Sequence, residues 1–361
     1  MRTINLPQPP SSWMALSKEQ LIHIQSIPSD MPEIQYKMIV FLYLAGMELC
    51  KKSYFPEPNS SDCVDAPLPD KDAPLKEREE RLDAMIARLD WMEDIMNGTA
   101  DMTIVLRNLK AVGTEDEYLQ IDSLRFFDVV RHCTKFLDEP FGLLDNKLGI
   151  VTVGEHKYKC PDPLIMNLTY EQYQNASFAI SAYLEAAKQL KDCKLNSPKA
   201  KAIVEQYKDA QARFLSQVLT LMKPQSFEDE VVSPVLHSSK KVKRTYLAPS
   251  YVAAEAAQFV DEMRKAPEWL FPILFQQFQS SLMEYKKKFP KVFTDKKNGT
   301  ASDPLLATAG TLNTLMKEQG YYDQQAVLNA NAIFNLKILD DLTRRAEEIE
   351  KMNKELKIKK K

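Results

Sequence analysis

Apolar residues recur every three to four positions over most of the chain, the spacing of amphipathic helices. On that spacing a helix runs from Ser17 to about Ile27. A second runs from Pro32 to about Lys52, with Ile34, Met38, Phe41, Leu42, Ala45 and Leu49 on one face, and a third from about Pro74 to Met96. Asp122 caps a helix to about Leu137. Two long helices follow, Thr169 to about Asp192 and Pro198 to about Met222; the short link between them predicts an antiparallel hairpin. The pattern resumes from Ser250 to Lys265, Pro267 to Phe289, Asp303-Pro304 to about Lys317, and from Asp323 as far as Leu356.

Alternation replaces this period at one place. Leu148 to Val153, the turn Gly154-Glu155-His156 and Lys157 to Cys160 read as a β-hairpin. Ile104-Val105-Leu106 fits strand or helix equally. The expected fold is mainly α: helical hairpins and bundles with one small β-hairpin near 148–160. Composition shifts divide the chain into an arm and helical hairpin (1–54), a Pro-rich linker (55–73), a helical middle (74–147), the β-hairpin with the long helical hairpin (148–222), a charged linker (223–249) and a C-terminal helical region (250–361) whose last helix projects.

Two helix starts share one grammar. Thr169 with Gln172 three residues on is a capping box, flanked by Leu168 and Tyr173 as a hydrophobic staple, and Ser17 with Gln20, flanked by Leu16 and Leu21, repeats it. The repetition suggests two related halves.

Composition narrows the function. With 361 residues the chain is long enough for two or three packed units. Nine glycines leave little scope for tight hairpins or phosphate-cradling loops, and a net charge of −2 gives no global attraction to nucleic acid or anionic membranes. Five scattered cysteines without a CxxC pair fit reduced thiols, and no run reaches the roughly 18 apolar residues of a spanning helix, so an intracellular protein is expected.

Recognisable catalytic chemistry is missing from the sequence. There is no GxSxG, GxxxxGK[ST], HExxH or GxGxxG. His156 and Cys160 supply two ligands where a structural zinc needs four, and His132 and Cys133 are helix neighbours that point apart. We therefore expect no catalytic residue, no metal and no cofactor. The basic run Lys240-Lys241-Val242-Lys243-Arg244 and the Lys-rich C-terminus carry no interleaved aromatics, which favours solvated segments over phosphate contacts. The aromatic-dense segment Trp269, Phe271, Phe275, Phe278 and Tyr285 is either core or a partner-binding groove. Leu342 and Ile349 belong to a near-heptad stripe on the last helix. These seven residues are the candidate partner-binding set.

Ile150 to Pro161 leading into Leu168-Thr169-Tyr170-Glu171-Gln172-Tyr173 resembles helical proteins of the tail-gene region of Bacteroidota phages and prophages, in which a GKxYxxP hairpin precedes an LTFxQF helix. Glu155-His156 stands where a Gly-Lys turn is usual. Lys288-Phe289-Pro290-Lys291-Val292-Phe293 resembles that family's FPxVF element, and Asp303 to Glu348 its closing helices. The resemblance implies a tail-assembly chaperone, or else a minor virion component such as a ring or connector subunit. It implies a protein partner, the tape-measure chain or another tail protein, in the host cytoplasm or in the virion. A homo-oligomer is open on this reading, and an enzyme with an unrecognised site is the remaining alternative.

Overall fold

The computed structural model describes residues 9–28, 31–49, 103–108, 118–139, 142–191, 193, 197–233, 238–293, 304–321 and 323–359. The expected 55–73 linker and the helix from Pro74 to Met96 lie outside them. The chain is mainly α with antiparallel strands, and it divides into two units, Met1–Pro140 and Phe141–Lys361.

In the first unit a 3-10 turn, Trp13–Ala15, leads into helix α1 (Lys18–Ser26) and then α2 (Glu33–Ala45). The Ser17 box forms: Ser17 Oγ accepts from Gln20 N at 3.2 Å and Gln20 Oε1 from Ser17 N at 2.8 Å, while Leu16 and Leu21 are buried. Trp13 is buried edge-on against Phe136, its Nε1 donating to Glu139 O at 2.8 Å. Helix α2 stops well short of Lys52. Gly46 adopts φ 67°, the left-handed conformation that ends helices, and its N–H caps Leu42 and Tyr43 carbonyls. The chain continues as β1 (Met47–Leu49), which pairs with β2 (Thr103–Asn108); β2 pairs with β3 (Tyr118–Asp122), so the ambiguous Ile104-Val105-Leu106 is strand. Helix α3 (Ser123–Cys133) follows and gives way to a 3-10 turn, Lys135–Asp138. Met38, Phe41, Leu42, Ala45, Met47, Leu106, Phe126, Phe127 and Val130 form one core.

In the second unit the predicted hairpin is present as β4 (Ile150–Val153) and β5 (His156–Lys159), with Gly154 at φ 55° in the turn. Helices α4 (Tyr170–Lys191) and α5 (Pro198–Val218) form the expected antiparallel pair, Ser197 Oγ accepting from Ala200 N at 3.1 Å. Two strands then replace the expected charged linker: β6 (Thr220–Ser233) and β7 (Ser238–Ser250) complete a sheet in the order β4-β5-β6-β7. The 148–160 hairpin is therefore one part of a four-stranded sheet. The β6–β7 register sets Glu228 opposite Lys243 and Glu230 opposite Lys241, so the acidic and basic runs are complementary partners across a ladder.

Because β7 extends to Ser250, the helix expected from there shrinks to two short pieces, α6 (Ala253–Gln258) and α7 (Val260–Met263). Helix α8 (Leu270–Lys288) starts later than Pro267, which keeps Pro272 in its first turn, where a missing N–H costs nothing. Helix α9 (Pro304–Gln319) ends at Gly320, φ 69°. The single last helix expected from Asp323 is two: α10 (Gln324–Asn329), capped by Asp323, and α11 (Ala332–Lys359). The break has a tertiary cause. Asn331 pairs with Thr169 in an isolated bridge, Tyr170 N donating to Ala330 O at 2.8 Å and Ala332 N to Leu168 O at 3.0 Å.

The segment 160–169 is where these elements converge. Leu164 and Ile165 have φ of 56° and 50°, a region unfavourable for side chains of their bulk, so the surrounding structure must impose it. Gln277 of α8 donates to the carbonyls of Pro161 and Asp162, both at 3.3 Å, and Tyr285 donates to Leu164 O. Leu164 N donates to Leu144 O at 2.9 Å, Asn167 Oδ1 accepts from Asp162 N at 2.6 Å, and Asn331 donates to Met166 O. The Thr169 box closes the segment: Gln172 N donates to Thr169 Oγ1 at 3.2 Å and Thr169 N to Gln172 Oε1 at 3.0 Å. Gln172 is 1% exposed and its amide also donates to Gln217 O at 2.9 Å, tying the start of α4 to the end of α5. The two boxes thus share a cap but little else, since α1 runs nine residues and α4 runs 22.

Candidate functional site

The aromatic segment of α8 faces inward. Phe271, Phe278 and Tyr285 are buried, and Trp269 and Phe275 are half-buried. Phe271 meets Phe214 of α5 edge-on at 5.5 Å and Tyr183 of α4 at 4.8 Å; Phe278 meets Phe214 at 5.6 Å and Tyr173 at 6.1 Å. Each such pair adds about 0.5–1.5 kcal/mol beyond the area it buries. These rings are spent on the unit's own core, which corrects the partner-groove reading for Phe271, Phe278 and Tyr285: a 3.6-residue stripe reports that a face is covered, and here the cover is α4 and α5.

Helix α11 differs along its length. Ala332, Asn335 and Leu336 are buried, and Leu342 is half-buried. Asp340 accepts from Lys291 N at 2.8 Å, and Glu347 pairs with Lys291 Nζ at 2.5 Å, so the 289–293 turn after α8 holds the helix that far. Beyond it Ile349 is 54% and Met352 55% exposed, three positions apart on neighbouring parts of one face. Of the seven candidate residues, Ile349 is the one that presents most of its surface to solvent.

A cluster that sequence reading missed sits at the tip of the β4–β5 hairpin. Glu262 of α7 accepts from Tyr158 OH at 3.1 Å, and both its carboxylate oxygens lie 3.0 Å from His156 Nδ1. Burial, then the Glu262 charge, pushes the Tyr158 phenol well above its ordinary range. Gly154 lies so close that a Cβ there would stand 2.5 Å from Glu262 Oε1. Phe259 packs edge-on against both His156 and Tyr158. A carboxylate between an imidazole and a phenol is the raw material of acid–base chemistry. Yet the adjacent hollow, lined in part by Tyr158, Ser216, Tyr251 and Glu255, has room for about one water molecule. The cluster's evident work is to dock the hairpin tip on α7. Nothing local in the sequence pairs Glu262 with residues more than a hundred positions earlier.

Ionic contacts organise the same side of the unit. Arg264 reaches Asp209 at 2.6 Å and Glu205 at 3.5 Å on α5, and Asp209 also holds Arg213. Partial burial works against the Asp209 carboxylate, but Arg213 and Arg264 outweigh it and keep its pKa below the usual range. Lys223 of β6 pairs with Glu255 of α6 at 2.5 Å.

Cys160 is buried and His156 is turned to Glu262, so the two do not form a ligand pair. Among the described residues no group of three or more His, Cys, Asp or Glu is arranged to hold a metal ion, and no helix is long and apolar enough to cross a membrane. No protein-family profile, no curated protein and no solved structure matches the chain.

Proposed function

We propose that the protein is a non-enzymatic tail-assembly factor of a phage or prophage, holding a helical tail protein such as the tape-measure chain against the outer half of α11. The observation that carries this reading is the exposure of Ile349 and Met352 on a helix whose inner half is anchored. A helix of 28 residues is about 42 Å long, enough to offer several turns to a second helix. Covering the two side chains contributes about 1–1.5 kcal/mol each, since roughly half of each remains to be buried. The identity of the partner class rests on the resemblance of the 150–173 and 288–293 segments, and the helix-on-helix mode on the near-heptad spacing of Leu342 and Ile349.

Co-expression with the neighbouring tail genes tests it. A stable complex with one helical tail protein supports the reading, and the lack of any complex across the whole set refutes it.

A second reading, a subunit built into the particle, is favoured by the long β6–β7 ribbon, which suits an arm laid on a neighbour. Mass spectrometry of purified particles separates the two: stoichiometric presence supports the subunit and absence the assembly factor.

A further inference from the structure

Beyond Leu221, β6 pairs with β7 alone; β5 reaches only Thr220 and Leu221. From Met222 to Ser233 the ribbon therefore has two open backbone edges among the described residues, over about 40 Å at ~3.4 Å per residue. Flanking positions near its base are exposed: Pro224, Gln225 and Ser226 on β6 and Thr245, Tyr246 and Leu247 on β7. Open edges of this length are templates for another strand, and natural sheets blunt them when no strand is wanted. Here two devices act: charged residues along the outer part of both strands keep a like-charged strand away, and proline is confined to the base. Pro224 and Pro249, which have no N–H to offer, lie there, whereas 225–233 and 238–248 contain no proline.

Charge says which strand fits. The β6 edge carries Glu228-Asp229-Glu230, and the β7 edge carries Lys240, Lys241, Lys243 and Arg244, at matching heights in the register. Laid side by side with tips in the same direction, β7 of one molecule runs antiparallel to β6 of the next, and the acidic run again meets the basic run. A two-fold arrangement would set β7 against β7, basic against basic, or β6 against β6, acidic against acidic. Like charges directly opposite one another are unfavourable.

From these features we infer that the ribbon is a self-association surface: copies of this chain join head to tail, β7 of one against β6 of the next. Such a heterologous contact closes as a ring or runs on as an open ribbon, and it does not stop at two. The inference rests on the ribbon alone and stands or falls independently of the tail-assembly reading.

The test uses the purified full chain, followed by sedimentation and light scattering over a range of concentration. Species larger than a dimer are expected, and raising salt from 50 to 500 mM weakens association by about tenfold, because salt screens the attraction between the acidic and basic runs. A chain that stays monomeric at low salt and high concentration, or halts at a dimer, overturns the inference. Reversing one strand alone would also break the ribbon itself, so the decisive variant exchanges both: Glu228→Lys, Asp229→Lys and Glu230→Lys with Lys240→Glu, Lys241→Glu, Lys243→Glu and Arg244→Glu. Head-to-tail order predicts that wild type and exchanged variant each self-associate and do not mix when differently labelled. Preferential mixing would mean β6-to-β6 or β7-to-β7 contacts, and would overturn it.

Discussion

Replacing Gln172 with Met keeps the length and bulk of the side chain and deletes every hydrogen bond its amide makes. Two are of full strength: Thr169 N–H loses its acceptor at 3.0 Å, and Gln217 O loses its donor at 2.9 Å. The contact to Thr220 Oγ1 at 3.5 Å is too long to count for much. Half of a capping box is worth about 1 kcal/mol, and a partly buried carbonyl stranded at the end of α5 about 1–1.5 kcal/mol. The substitution should cost about 2–2.5 kcal/mol. With a urea slope of about 2 kcal/mol per molar, the midpoint of the transition falls by about 1–1.25 M. The matched control is Gln20→Met in the first unit, where the same box exists and, among the described residues, the side chain bonds the Ser17 amide alone; about 0.5–1 kcal/mol is expected there. Urea unfolding of both variants, followed by far-ultraviolet circular dichroism, gives the comparison. Equal losses at the two sites would refute the claim that Gln172 couples α4 to α5.

Gly154→Ala should lower thermal stability by about 2–3 kcal/mol, because it meets both a positive φ and Glu262, whereas Gly149→Ala, at φ 66° with open space around it, should cost only the backbone part, about 1 kcal/mol. Calorimetry of the pair checks the order. Burial pushes Tyr173 and Tyr251 up to about 12. Their unfolded value is near 10, so the folded form is favoured in full below about pH 10 and that contribution is lost as pH rises towards 12. Phenolate absorbance should therefore lag behind free tyrosine and then rise together with loss of helix; smooth titration at the free value would contradict this. Tyr285→Phe removes the hydrogen bond to Leu164 O and should cost about 1 kcal/mol, read as faster amide exchange in the 160–169 segment.

What could be read from the sequence was what is written locally. The two capping boxes, the Pro198 start of α5 and the Gly154 turn all depend on residues within one or two turns of each other. The strands β6 and β7 were hidden because Lys240 to Arg244 shows no apolar alternation; what pairs it with Glu228 to Glu230 lies some dozen residues away, across the ladder. Gly46, which ends α2, was visible but outweighed by the apolar period running through it. The break before α11 depends on Thr169, far off in the chain. The buried aromatics of α8 show the limit of pattern reading most plainly, since a stripe reveals that it will be covered and leaves open by what. Gln277, a polar residue inside that stripe, was the available hint that a carbonyl waited for it.

Holding another protein on the outer half of α11 is the role proposed above for this chain. The direct measurement is recovery of a neighbouring tail protein by the tagged full chain against its Ile349→Glu, Met352→Glu variant, two substitutions that preserve helix-forming character. A near-stoichiometric complex is expected with the wild type, and a loss of at least about tenfold in affinity with the variant, at unchanged melting temperature. Equal recovery by both proteins would contradict it.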